Sequence, residues 1–213
     1  MQTQKEITET YNKVAANYAA HYINELDGKP LDKLLLRYFA EENKNKGAML
    51  DIGCGPGQTT KFLTYSGCQD ITGTDISPAM IENAKSINPA LNFEVADVLN
   101  LPYADNTFGA AVAFYAIVNF DYPAIKKALS EINRVLKSGG QFLFSFHTGN
   151  QMVHLDELLE EQVNIDFYFL DTERVVDLLK ETGFNVIDTL IRFPYKQEFQ
   201  SKRAYILAEK ITA

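Results

Sequence analysis

Between residues 48 and 146, short β-prone runs alternate with amphipathic stretches, and few architectures accommodate that alternation. Strands are expected at 48–52, 70–74, 92–95, 108–114 and 141–146, with helices at 58–65, 78–86 and 123–137. Strands that alternate with helices build βαβ units and a mostly parallel sheet covered on both faces. In the last of these helices Ile125, Leu129, Ile132 and Leu136 form one apolar stripe, and "KSGG" at 137–140 offers a cation and glycines to stop it. Two helices precede the alternation, at 4–22 and 31–42, separated by the breaker "DGKP". A helix at 172–182 ends at Gly183, and the runs 184–192 and 203–209 read as an antiparallel addition to the sheet edge. The segment 147–170 follows neither period; within it "LDELLEE" reads as a solvated helical face, which places His154, like His21, on a helix surface.

Composition narrows the class. A chain of 213 residues with 46% apolar and 12% aromatic content has enough material for one buried core. A net charge of −8, with no basic run longer than "SKR" at 201–203, makes nucleic acid an unlikely partner. Two cysteines, Cys54 and Cys68, form no CxxC pair, and three scattered histidines give no metal-ligand spacing, so no metal is expected. The polar start lacks the apolar region of a secretory leader, and no stretch approaches the ~20 apolar residues of a membrane span. A cytoplasmic monomer or homodimer is expected, with no membrane partner.

The chemistry concentrates in "MLDIGCGPGQ" at 49–58, where a strand meets Gly53, Gly55 and Gly57 before a helix. In open α/β sheets, ligands bind beyond the carboxyl ends of the strands near such a corner. A dinucleotide corner reads GxGxxG, but Gln58 stands where its third glycine belongs. Asp51, two residues before the first glycine, would repel a pyrophosphate and attract a cationic amine or sulfonium. A P-loop is excluded because no GK[ST] follows. Asp75 ends the second strand some 20 residues on, where an acid can accept both ribose hydroxyls; its other reading is a helix N-cap, a task Ser77 can perform itself. Asp97, after the third strand, can accept from an adenine amino group.

Four pieces, "LDIGCGPG", "GTDISPAMIENAK", "FEVADVLNLPYADNTF" and "INRVLKSGGQFLFSF", stand in the order and spacing of one family over residues 47 to 147. In them the chain resembles the class I S-adenosylmethionine-dependent methyltransferases of small-molecule type. The resemblance implies a Rossmann-like, mostly parallel seven-stranded sheet with helices on both faces, an antiparallel terminal hairpin and an N-terminal helical lid. It divides the single domain into a lid (1–45), a cofactor-binding core (46–147), a substrate cap (148–170) and a C-terminal helix and hairpin (171–213). It implies S-adenosyl-L-methionine as cofactor, with the Gly53–Gly57 loop against its methionine and ribose portions and Asp51 near its ammonium. Asp75 would hold the ribose, Ile76 and Met80 would pack on the adenine, and Asp97 with the Val98 amide would read its edge. Cys54 and Phe114 complete that set. "ETYNKVAANYAAHY" is similar to the family's entry helix, in which Tyr11, Tyr18 and Tyr22 close over cofactor or substrate; the same stripe can equally serve as core.

Methyl transfer from a sulfonium is an in-line displacement, so alignment supplies much of the rate, and a general base is needed only when the acceptor must lose a proton. Tyr115, Asn119 and His147, on loops after the fourth and fifth strands, are the candidate catalytic residues for a small-molecule acceptor. Relatives often carry histidine where this chain has Asn119, which can orient an acceptor but takes no proton. His147 is the best titratable candidate. Gly109, where relatives usually have aspartate, is read as a structural change. Met152, Phe167, Tyr168 and Phe169 are expected to wall the cap, and Arg192, Tyr195 and Arg203 either serve a substrate carboxylate or, the favoured reading, pair on the surface. Two other functions fit the same residues: a methyltransferase-like module that binds the cofactor without transfer, and, disfavoured by Asp51 and Gln58, an NAD-dependent oxidoreductase.

Overall fold

In the computed structural model, which describes residues 2–212, a seven-stranded sheet carries helices on both faces. The parallel strands are β1 (Met49–Ile52), β2 (Ile71–Asp75), β3 (Asn92–Val95), β4 (Phe108–Phe114) and β5 (Leu136–His147). Antiparallel β8 (Phe184–Arg192) and β9 (Arg203–Lys210) complete the order β3-β2-β1-β4-β5-β9-β8. The helices are α1 (Gln4–Tyr22), α2 (Pro30–Asn43), α3 (Gln58–Tyr65), α4 (Pro78–Ile87), α5 (Tyr122–Val135) and α6 (Thr172–Glu181). The expected doubly covered sheet with its terminal hairpin is therefore present.

Local chemistry accounts for the boundaries. Thr3 and Glu6 form a reciprocal capping box at the start of α1, and Asp121 and Asp171 cap α5 and α6 with their carboxylates. Along α5, Ile125, Leu129 and Ile132 are fully buried against the sheet, where Phe142, Phe144 and Phe146 line up at alternate positions of β5.

Two expectations fail. α5 stops at Val135 because Leu136 already has extended backbone (ψ 142°), so "KSGG" belongs to β5 as an irregular entry next to the register shift at Phe108/Ala110. The segment read as helical around "LDELLEE" is a two-stranded antiparallel hairpin, β6 (Met152–Leu158) and β7 (Glu161–Tyr168), which puts His154 on a strand. Its two-residue turn holds Leu159 and Glu160 at φ 51° and 67°, a left-handed pair that normally announces itself as Asn-Gly. α1 secures that turn from outside: Asn17 Nδ2 donates to the Leu159 carbonyl at 2.9 Å and Lys13 Nζ to that of Gln162. Gly109 also finds its reason, since a Cβ there would lie 2.2 Å from the Lys46 carbonyl oxygen.

Candidate functional site

A cavity of about 590 Å³ lies at the carboxyl ends of β1 to β5, roofed by α1 and the β6–β7 hairpin. Its floor therefore comes from where the strands stop: Asp51 to Gly55 at the end of β1, Asp75 and Ile76 at the end of β2, Asp97 and Val98 just after β3, Phe114 and Tyr115 at the end of β4, His147 as the last residue of β5.

The glycine corner needs its glycines. Gly53 has φ 64°, and a Cβ there would sit 2.4 Å from that of Ala116. Gly57 (φ 89°) turns away from the cavity, its missing Cβ 2.7 Å from the Phe93 ring, so of the three it shapes the corner without lining it. Asp75 is held by two amides: Oδ2 accepts from Gly55 N at 3.0 Å and Oδ1 from Ser77 N at 2.9 Å, while Ser77 Oγ caps α4 at Met80 N. Asp51 accepts from Thr60 Oγ1 at 2.6 Å, and burial pushes its carboxyl up to about 7. Burial raises Asp75 as well. Among the described residues neither acid pairs with a Lys, Arg or His. Asp97 Oδ1 accepts from Leu99 N at 2.8 Å. Ile76, Met80, Val98, Phe114 and Cys54 all line the cavity, and burial pushes the Cys54 thiol well up, leaving it unreactive.

The tyrosines of α1 do both things open to them. Tyr11 and Tyr18 line the cavity and also pack on Val14, Ala15 and Met80. Tyr11 donates its hydroxyl to Asn119 Oδ1 at 2.8 Å, and Asn119 Nδ2 donates to the Asp166 carbonyl at 2.8 Å. Asn119 thus joins the end of β4 to both parts of the roof, and both ends of its amide are engaged.

The opposite end is built from residues far apart in the chain. Tyr115 (φ 58°) shares a hydrogen bond with Tyr205 at 3.1 Å and lies 4.7 Å beneath Lys29 Nζ. His147 Nδ1 meets Ser201 Oγ at 2.7 Å, and its ring centroid is 5.4, 5.5 and 6.2 Å from those of Tyr115, Phe169 and Phe199. Burial first, and then the charges of Arg203 and Lys29, lower its pKa to about 4, so the imidazole is neutral at pH 7. Arg192 and Arg203 are 9% and 3% exposed, which overturns their expected surface pairing. Arg192 grips Glu198 through both terminal nitrogens (2.6 and 2.8 Å) and reaches Asp32 at 3.2 Å. In the roof hairpin, Val153 pairs with Phe167 and faces the cavity, while Met152 pairs with Tyr168 and faces outward. The two-residue period thus keeps Phe167 and Phe169 as walls and removes Met152 and Tyr168. Lys29, Glu198 and Phe199 carry no motif and only folding reveals them.

A family model described as "Methyltransferase domain" matches residues 50–144. Among solved structures, magnesium protoporphyrin IX methyltransferase from Synechocystis, with bound S-adenosylmethionine, superposes with TM-score 0.74 over 99% of this chain and 98% of its own, at 14% identity. Over residues 50–144 the chain is similar to the methyltransferase domain family, and it shares the fold of this solved methyltransferase. An uncharacterized protein of Methanocaldococcus jannaschii is 28% identical over 96% of this chain and 91% of its own length. Demethylmenaquinone methyltransferase of Symbiobacterium thermophilum is 29% identical over 66% of this chain. The chain spans 53–58% of the length of several methyltransferases it matches. No helix among the described residues is long and apolar enough to cross a membrane.

Proposed function

We propose that the protein transfers a methyl group from S-adenosylmethionine to an oxygen, nitrogen or carbon atom of a small molecule. The observation that carries this reading is a pair of acids, the buried Asp51 and the half-buried Asp75, facing one cavity with no cation beside either among the described residues. Buried charge is costly unless paired, so the cavity calls for a ligand that brings positive charge and donors. Two further acceptors, Gln4 Oε1 and Gln58 Oε1, are buried at its wall without a hydrogen-bond partner. The cofactor fits this set through its ammonium, ribose hydroxyls and adenine amino group.

In this reading Asp51 and Gln58 hold the ammonium end, Asp75 the ribose, and Asp97 with Val98 the adenine edge, while Ile76, Met80 and Phe114 pack on its faces. Gly53, Cys54 and Gly55 provide close backbone approach, and Tyr11 and Tyr18 close the roof. Bound there, the cofactor supplies an electrophilic methyl on a sulfonium. The chain's own contribution is to align the acceptor and exclude water, with Tyr115 and His147 presenting polar atoms beside apolar rings. A neutral His147 with a lowered pKa orients an acceptor better than it removes a proton. Asn119 acts through the roof as a positioning residue. Incubation with S-adenosylmethionine and fractionated metabolite pools should yield S-adenosylhomocysteine together with a product heavier by one methyl group.

A second reading, a module that binds the cofactor without transferring from it, is favoured by one observation: both ends of the Asn119 amide are tied to the roof, and His147 is a weak base. Binding of S-adenosylhomocysteine with no turnover across all pools would support it and contradict methyl transfer.

A further inference from the structure

The strand register places like charges side by side at the cavity's far end. Arg192 on β8 pairs with Arg203 on β9, which pairs with His147 on β5, so the three stand in one row. Directly opposed like charges on a sheet are destabilising. Glu198 and Asp32 compensate Arg192 closely. Arg203 is served less well: its Nη1 donates to the carbonyls of Phe199 (2.6 Å) and Ser201, its Nε stands 3.5 Å from Glu198 Oε1, and that buried Nε has no hydrogen-bond partner. Arg203 lines the cavity, as do Lys29, which pairs with Glu25, and Glu198. The cavity thus has unpaired acids at the glycine corner, and at the other end a guanidinium whose Nε lacks a hydrogen-bond partner stands among paired charges beside an aromatic wall.

Resting on the methyl-transfer reading, we propose that the acceptor is a small carboxylate with a flat apolar body: Arg203, assisted by Lys29, takes the carboxylate, and Phe169, Phe199 and Tyr115 take the body. A guanidinium edge matches a carboxylate in geometry as well as charge; the Phe169 and Tyr115 rings shield the pair from water, and Phe199, 62% exposed, flanks it at the mouth of the cavity. Burial is the main cause of the lowered His147 pKa, and the charges of Arg203 and Lys29 add to it. A monoanion suits a single under-compensated cation better than a phosphate dianion does.

The test uses benzoate, benzamide and phenylphosphonate as probes on protein saturated with S-adenosylhomocysteine, followed by calorimetry and by NMR titration of His147. Benzoate should bind at least about tenfold more tightly than benzamide, the effect of one charge-assisted hydrogen bond, and should raise the His147 pKa. It should also outbind phenylphosphonate. Arg203→Met should abolish the benzoate preference and raise the His147 pKa, whereas Arg203→Lys should keep most of the preference. If Arg203→Met does not fold, Lys29→Met should still lower the preference severalfold. Equal binding of benzoate and benzamide, with S-adenosylhomocysteine still bound, would overturn the proposal and leave methyl transfer standing; tighter phenylphosphonate binding would overturn the carboxylate assignment. Failure of S-adenosylhomocysteine itself to bind would instead break the reading on which the proposal rests.

Discussion

The two ends of the cavity are made in different ways. At the glycine end, Asp51, Gly53, Gly55 and Asp75 fall within 25 residues, and each is fixed by backbone geometry, an amide or the Thr60 hydroxyl of the same βαβ unit. At the other end, Lys29, Tyr115, His147, Glu198 and Arg203 come from five segments and are fixed by one another's side chains. The first end is a property of a local turn, and the second exists only when β5, β8 and β9 have assembled.

That contrast can be broken experimentally, beginning with the largest effect. Asp75→Ala should weaken S-adenosylhomocysteine binding on the order of 100-fold, because the ligand hydroxyls lose a charged acceptor and the Gly55 and Ser77 amides lose theirs. Retained affinity in calorimetry would show that the glycine end does not bind the ribose. Gly53→Ala should come next: the left-handed φ and the approach to Ala116 together should cost about 1–3 kcal/mol and lower Tm by several degrees. Unchanged melting would mean the corner adapts more freely than its geometry implies.

Asn119→Ala sharpens the comparison from the roof side. It strands the Tyr11 hydroxyl and the Asp166 carbonyl, and should cost about 1–3 kcal/mol with faster amide exchange in α1 and the hairpin. Protection confined to its present level would remove Asn119 as the link between them.

The smallest effect is on pH dependence. Asp51 is raised from 3.8 to about 7, so the folded chain holds that proton more tightly than the unfolded one. Its stabilising contribution is complete below about pH 3.8 and is lost as pH rises through about 7. His147, lowered from 6.5 to about 4, works in the opposite direction: its contribution is present above about pH 6.5 and is lost as pH falls towards 4. The two oppose each other between pH 4 and 6.5; from pH 6.5 to 7.5 Asp51 is no longer offset by His147, and the exposed His154, raised by its hydrogen bond to Asp166, changes in the same direction, so the comparison is made in a His154→Gln background. Urea unfolding there should show declining stability in the ligand-free protein, and Asp51→Asn should flatten the decline.

These differences also decide what could be read from the residues alone. The strand–helix alternation, the terminal hairpin and the acids at the strand ends follow from periodicity and short spacings, which are local, whereas the seven-stranded sheet was expected only from the family resemblance. The β6–β7 hairpin was hidden because Leu159 and Glu160 adopt a turn conformation that side chains of their kind do not signal, and because α1 stabilises it from 142 residues away. "KSGG" resembled a helix stop, yet Leu136 had already left helical geometry. Arg192 and Arg203 looked like surface charges, since no sequence pattern tells β9 that Glu198 will fold back over it. Gly109 made sense only once the Lys46 carbonyl was seen to occupy the space of a side chain.

The carboxylate-lined corner is tested most directly by calorimetric titration of the protein with S-adenosylmethionine and, separately, with NADH at pH 8. Saturable binding of S-adenosylmethionine, lost in Asp75→Ala, with no heat from NADH, is the expected result. Binding of NADH with indifference to S-adenosylmethionine would contradict the assignment of Asp51 and Asp75 to a cationic nucleoside.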